Sequence, residues 1–145
     1  MGFTVYYRTT QPITPALAKE IQQAASDLCQ GRTWLSCEPV AFFSDTTDQL
    51  EVLEGGSKPN FLPHPDDVAS AKSENLPDGT VRDMIDVLCR LSRDHEVDWE
   101  IGHDYSDGPV GQIRGGECDT QVMTQIEAFD DMAKELGELQ FDDEP

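Results

Sequence analysis

The sequence predicts an α+β fold, a two-layer sandwich in which an antiparallel or mixed sheet of about four to five strands carries three helices on one face. Two stretches, residues 2–8 and 97–104, alternate apolar and polar side chains with the period of two that is typical of strands. Three stretches, residues 14–30, 80–94 and 119–139, carry apolar stripes at helical spacing. Strands mixed with amphipathic helices in this way favour one sheet with helices packed against it.

A strand and a helix open the sequence. The strand over 2–8 sets Phe3, Val5 and Tyr7 on one face and Thr4, Tyr6 and Arg8 on the other. Thr14 followed by Pro15 is typical of a helix start, because the hydroxyl caps the first turn and proline loses no hydrogen bond there. We expect this first helix to end before Gly31.

The middle of the sequence predicts less regular structure. Residues 33–43 are apolar and aromatic enough for a strand, although Pro39 favours an edge, bend or bulge. Residues 49–53 suggest a short partner strand. Four prolines and three glycines in residues 54–79 predict a long irregular loop, with at most a short helix over 66–72.

The C-terminal half predicts a helix, a hairpin and another helix. Thr80 begins the second long helix, Asp83 can answer its cap, and the helix should end near Asp94. The hairpin follows over residues 97–116, and Asp119 caps the last helix.

We expect a single domain over 1–139 and an acidic tail over 140–145, because 145 residues suffice for one ordinary core. The first two-thirds of the element order resembles a ferredoxin-like arrangement in topology only, with a strand and a helix added at the C-terminus. Topology of this kind carries no function.

The register of the hairpin decides what surrounds its side chains. A three-residue loop over 106–108, with a left-handed glycine, pairs Ile101 with Ile113 and Glu100 with Arg114. A two-residue turn would instead place Ile113 on the acidic face, so we expect the three-residue loop.

The same register leaves space beside two large rings. It places His103 opposite Gly111 and Trp99 opposite Gly115, so neither ring has a bulky neighbour across the ladder. The rings leaning over the glycines, a closely docked helix, or a ligand would each fill this space.

A ligand would make the space a candidate pocket, where His103 could serve as a base or metal ligand. The residues of this candidate pocket are Trp99, His103, Gly111, Gly115, His64 and Asp66. Their order in the sequence forms no diagnostic catalytic or ligand spacing. We therefore predict no metal site and no cofactor.

Charge is the extreme feature of the composition. The chain has 29 acidic and 10 basic residues, a formal net charge of -19, and residues 117–145 hold ten acids against Lys134 alone. Such a field repels nucleic-acid phosphates and anionic membranes, so we expect neither as a partner. The acidic surface predicted to bind a basic protein comprises Asp130, Asp131, Glu135 and Glu138.

Two alternatives to a basic partner stay open. A negative surface also confers solubility, or suits a salty cytoplasm, without any partner. Tyr6, Phe42 and Phe43 could form an exposed apolar patch that joins copies of the chain in a homo-oligomer.

The sequence favours a cytoplasmic location. No stretch reaches the roughly 20 apolar residues of a membrane helix, and the opening residues lack a basic region followed by an apolar run. The four cysteines are too scattered for a metal or redox motif and are expected to be reduced. The prediction is thus a non-enzymatic protein-interaction module that binds a basic partner; the alternative is a small-ligand-binding or hydrolytic domain.

Overall fold

The computed structural model describes residues 4–43, 52–60, 65–104, 106 and 108–142. Its helices and strands follow one another as β1 (Val5–Thr9), α1 (Pro15–Cys29), β2 (Glu54–Ser57), α2 (Pro65–Glu74), α3 (Val81–His95), β3 (Trp99–His103), β4 (Gly111–Arg114), β5 (Glu117–Cys118) and α4 (Thr120–Asp142). Within these ranges the five strands form one antiparallel sheet in the order β2-β1-β3-β4-β5. The predicted α+β fold is confirmed, with α2 as a helix beyond the three expected.

The sheet has one buried face and one wetter face, as the alternation predicted. In β1, Val5 and Tyr7 are buried, and the residues that alternate with them, Tyr6 and Arg8, are exposed. Strand β3 repeats the pattern in register, and its buried side chains are Trp99, Ile101 and His103. The inner face therefore holds the core, and the outer face is left for polar and aromatic side chains.

Helices α1 and α3 begin where their caps predicted. Thr14 Oγ1 accepts a hydrogen bond from Leu17 N at 3.1 Å, and Pro15 opens α1. Thr80 and Asp83 form a reciprocal capping box at the start of α3. The two helices pack against each other, and α3 also contacts β4 and β5.

The strand expected over 33–43 is wrong. This segment makes only isolated bridges, between Cys37 and Pro59 and between Phe42 and Gly55. Proline at position 39 lacks the N–H that a continuous ladder needs.

A strand and a helix occupy the stretch expected to be an irregular loop. Strand β2 pairs antiparallel with β1, Val5 opposite Ser57, and α2 extends beyond the short helix expected over 66–72. Of the short strand expected over 49–53, residues 49–51 lie outside the described residues, and Val52 and Leu53 precede β2. The ferredoxin-like order requires a third strand directly after β2, but the next element here is helix α2.

The outer edge of β2 is covered by the segment before it. Phe43 N donates to Glu54 O at 2.9 Å, and Gly56 N donates to Ala41 O at 3.2 Å. A Cβ on Gly55 would clash with Ala41 O, so glycine is what lets this backbone approach. Covering an edge in this way prevents another strand from pairing with it.

The predicted hairpin register is wrong by two residues. Trp99 pairs with Ile113 and Ile101 with Gly111, while Glu100 lies opposite Gln112 rather than Arg114. A shift of two keeps every side chain on its expected face but changes each neighbour.

Docking of the last helix accounts for the observed register. Gln112 N donates to Asp119 Oδ2 at 2.9 Å, and Asp119 N donates to Gln112 O at 2.9 Å. A Cβ on Gly111 would lie 2.6 Å from Cγ2 of Val122, so the start of α4 requires glycine at this point of β4. The connection from β3 to β4 is correspondingly longer than the three residues expected.

A second hairpin, not predicted from the sequence, joins β4 to β5. Arg114 pairs with Glu117, and Gly115 and Gly116 form the turn with φ of 57° and 84°. Two positive φ values are what a type I′ turn requires, and a Gly-Gly pair is a recognised signal for it.

Helix α4 begins after Asp119, as predicted, and buries Val122 and Ile126. It continues through Asp142, so residues 140–142, expected in an acidic tail, are helical. Among the described residues, no helix is both long enough and apolar enough to cross a membrane.

Candidate functional site

His103, the centre of the predicted pocket, lies between β3 and α4. Its Nε2 atom is 2.8 Å from Gln125 Oε1, and its ring meets the ring of Phe129 edge-on at 5.1 Å between centroids. Only 7% of the residue is exposed. The contacts are those of a core histidine that is hydrogen-bonded to a neighbouring helix.

Trp99 lies deeper in the same inner face and is fully buried. Its ring stacks on Phe42 at 5.9 Å between centroids and meets Tyr7 edge-on at 6.2 Å. Among the described residues, its indole N–H has no hydrogen-bond acceptor. The tryptophan therefore acts as the apolar centre of an aromatic cluster.

The remaining members of the predicted pocket are not brought to these rings. Gly111 faces Ile101 and lies beneath Val122, and Gly115 is in the β4–β5 turn. Asp66 is exposed in the first turn of α2, and His64 lies outside the described residues. The space expected beside both rings is not found at Trp99, which lies opposite Ile113. At His103, Gln125 and Phe129 of α4 contact the ring.

A groove lies instead on the outer face of the sheet, with a volume of about 310 Å³. Tyr6 forms its middle, because its partners on the two neighbouring strands are Gly56 and Gly102. The groove is lined by Tyr6, Arg8, Phe43, Glu54, Glu100, Gly102, Gly108 and Pro109, together with parts of Tyr7, Gly55 and Ile101. We call this the outer groove.

Aromatic side chains form one wall of the outer groove. Tyr6 is 42% exposed and Phe43 is 64% exposed, and their rings meet edge-on at 6.5 Å between centroids. A Cβ on Gly56 would lie 2.8 Å from Cζ of Phe43, so this glycine gives the phenylalanine ring its place. Tyr6 and Phe43 belong to the aromatic patch predicted from the sequence, whereas Phe42 faces the core.

Charged side chains form the other wall of the outer groove. Arg8 lies between Glu54 and Glu100 in the ladder, and its Nε atom is 2.9 Å from Glu100 Oε2. This wall thus contains two carboxylates and one guanidinium. A hydrogen bond with Asp104 raises the pKa of the Tyr6 phenol, which stays protonated at neutral pH.

Exposed carboxylates on α4 form a separate acidic stripe. Asp131 and Glu135, two of the acids predicted from the sequence, are exposed, and Asp130 is half-buried. The side chain of Glu138 lies outside the described residues. Glu127, which the prediction omitted, is exposed four residues before Asp131 and extends the stripe; the spacing of four residues alone could have identified it.

The four cysteines are free thiols. Burial raises the pKa of Cys37 to about 12 and that of Cys118 to about 11. Burial also raises the pKa of Cys29 and Cys89. These thiols are therefore protonated at neutral pH, and a protonated thiol is a weak nucleophile.

The described ranges contain no group of three or more histidine, cysteine, aspartate or glutamate side chains arranged to hold a metal ion.

Comparison with known proteins identifies no relative: no protein-family model, no curated protein and no solved structure matches this chain.

Proposed function

We propose that this protein is a non-enzymatic interaction module that binds a basic protein through the acidic surface of α4. The observation that carries the proposal is the stripe of Glu127, Asp131 and Glu135, spaced four residues apart and exposed along one side of the helix. A reducing, cytoplasmic location belongs to the same proposal and is supported by the free cysteines.

The stripe is unfavourable for the helix itself. Like charges four residues apart destabilise a helix by about 0.2–0.5 kcal/mol per pair. Only Lys134 is basic among residues 117–145, so this segment offers few cations to offset the repulsion. A basic partner would relieve the repulsion and, by charge complementarity, speed the encounter.

The arginines elsewhere in the chain support a local role for α4. Arg8, Arg32 and Arg90 form ion pairs with Glu100, Asp83 and Asp94. These arginines thus pair with carboxylates on the sheet and on α3, whereas residues 117–145, with ten acids against Lys134, hold a net charge of -9 out of the total of -19.

Binding of a fluorescein-labelled oligolysine peptide tests the proposal. The α4 variant combines Glu127→Gln, Asp131→Asn and Glu135→Gln. A matched control removes the same charge from exposed sites on three other helices through Glu20→Gln, Asp67→Asn and Asp86→Asn. Both proteins have the same net charge, so only the position of the lost carboxylates differs.

We expect the α4 variant to bind at least about tenfold more weakly than the control, with affinity falling steeply as salt rises. Equal losses in the two variants would mean that the negative charge acts as a uniform field, as it would if acidity served solubility alone. Binding that survives molar salt would also contradict the proposal.

A further inference from the structure

We propose that the outer groove binds an arginine side chain from an extended basic segment of a partner protein. The inference rests on the proposed function for one point, that the partner is basic. It concerns a different surface, because α4 contacts the inner face of the sheet through His103 and Gly111.

The aromatic wall of the outer groove favours a cationic ligand. Tyr6 and Phe43 expose large parts of their rings next to each other, and adjacent exposed apolar side chains are typical of an interaction surface. The faces of aromatic rings attract cations, and a guanidinium group also stacks on them through its own plane. An arginine side chain could cover the rings with its methylene groups and place its charge beside them.

The charged wall of the outer groove also favours a cationic ligand. Glu54 and Glu100 lie on strands at either side of Arg8, so the carboxylates outnumber the guanidinium group. Arg8 is half-exposed and holds Glu100 through its Nε atom. A second guanidinium entering the groove would find an excess of negative charge and could pair with a carboxylate through two parallel hydrogen bonds.

The size of the outer groove fits a single long side chain. Its volume of about 310 Å³ lies at the lower end for ligand sites, which span roughly 300–1,000 Å³, and suits one long side chain. At Gly102, in the floor, an added Cβ would be in ordinary van der Waals contact with Gly108 O and Ser106 Oγ, each 3.6 Å away, so a side chain can be added there without a clash.

A larger side chain at Gly102 would block the outer groove. Gly102→Val fills the groove at a strand position that accepts a β-branched side chain. The matched control is Gln112→Val, also on the outer face of the sheet but outside the groove lining. Phe43→Ala removes one ring of the aromatic wall. It serves as a second variant if Gly102→Val impairs folding.

The probe is the capped tripeptide acetyl-Gly-Arg-Gly-amide, titrated while backbone amide NMR signals are followed. Peptides with lysine or uncharged citrulline in place of arginine are the comparison ligands. We expect the signals of Tyr6 and Gly102 to shift with the arginine peptide, and the citrulline peptide to leave them unchanged. Phe43→Ala should weaken binding about fivefold, the loss of one cation–π contact. Gly102→Val should weaken it at least as much, because its side chain occupies the groove, and Gln112→Val should not.

Several results would overturn the inference. These are wild-type affinity in both groove variants, equal binding of the citrulline peptide, or tighter binding of lysine than of arginine. A chain that dimerises in sedimentation experiments and becomes monomeric on Gly102→Val would assign the groove to a second copy instead.

The two proposals can fail separately. Neutralising the α4 stripe should leave the arginine-induced shifts at Gly102 in place. If oligolysine binding does not depend on the stripe while Gly102→Val still blocks arginine, the proposed α4 surface is wrong and the groove stands. The reverse pattern removes the groove and keeps the stripe.

Discussion

The imidazole of His103 and the side-chain amide of Gln125 are joined by a hydrogen bond of 2.8 Å, which links β3 to α4. The histidine is almost fully buried, and Phe129 from the same helix contacts its ring. Burial of a polar ring costs free energy unless the ring is hydrogen-bonded, so the amide stabilises the position of the histidine.

A double-mutant cycle on this pair measures the link. We expect His103→Ala to lower the free energy of unfolding by about 1–3 kcal/mol, because it removes both packing and a hydrogen bond. Gln125→Ala should cost less, about 0.5–1.5 kcal/mol, and the two losses should not add. Urea unfolding gives the four free energies, and additivity within about 0.3 kcal/mol would refute the coupling.

Gly111→Ala tests how closely α4 approaches the sheet. The new Cβ would lie 2.6 Å from Cγ2 of Val122 and 3.1 Å from Cβ of Asp119, so the Val122 side chain or the helix that carries it must shift. We expect a loss of about 1–3 kcal/mol in the free energy of unfolding, the cost of overpacking a well-packed site. The control is Gly108→Ala, where no atom lies within 4 Å of the added Cβ and the backbone is not left-handed. Its effect should stay within about 0.5 kcal/mol; a similar loss in both variants would contradict close docking.

The buried hydroxyl of Tyr7 predicts a loss of stability at alkaline pH. Its oxygen lies 2.9 Å from Ser57 Oγ and accepts a hydrogen bond from Ala41 N at 2.8 Å, and the hydroxyl donates to Ala41 O at 3.0 Å. Burial raises the pKa of Tyr7 from 10.0 to about 12. Since the folded pKa exceeds the unfolded one, the contribution is fully present below pH 10.0 and is lost as pH rises through about 12.

Unfolding curves of Tyr7→Phe and the wild type, recorded from pH 8 to 11, check this expectation. At pH 8 the variant should be less stable by about 0.5–1.5 kcal/mol, because it lacks the hydroxyl hydrogen bonds. Above pH 10 the difference should narrow, since one titrating group contributes at most about 1.4 kcal/mol per pH unit and the variant lacks it. Cys37 is present in both proteins, so its own titration contributes to both curves. A constant difference across the range would show that Tyr7 is not the group responsible.

Local chemistry determined the parts of the fold that were predicted correctly. Thr14 and Pro15 set the start of α1, and Thr80 with Asp83 set the start of α3, because a cap requires only residues within one turn. The buried face of β1 also followed from its own alternation.

Strand β2 and the hairpin register depended on distant segments. Glycines in a strand weaken its local signal, and Glu54–Ser57 becomes a strand only through pairing with β1 and cover from residues 41–43. The hairpin was predicted two residues out of register because its own pairing preferences could not reveal that Val122 and Asp119 dock on Gly111.

The two candidate sites also differ in how far the sequence predicts them. Asp131 and Glu135 were predicted from the sequence, and the spacing of four residues along one helix places Glu127 on the same stripe, so its position follows from local sequence. Only the structure showed that Asp130 is half-buried. The outer groove was decided only by tertiary structure, because Tyr6 is flanked by Gly56 and Gly102 from strands far apart in the chain. Periodicity assigns a residue to a face of its own strand, but the neighbour across the ladder is chosen by packing of the whole sheet and its helices.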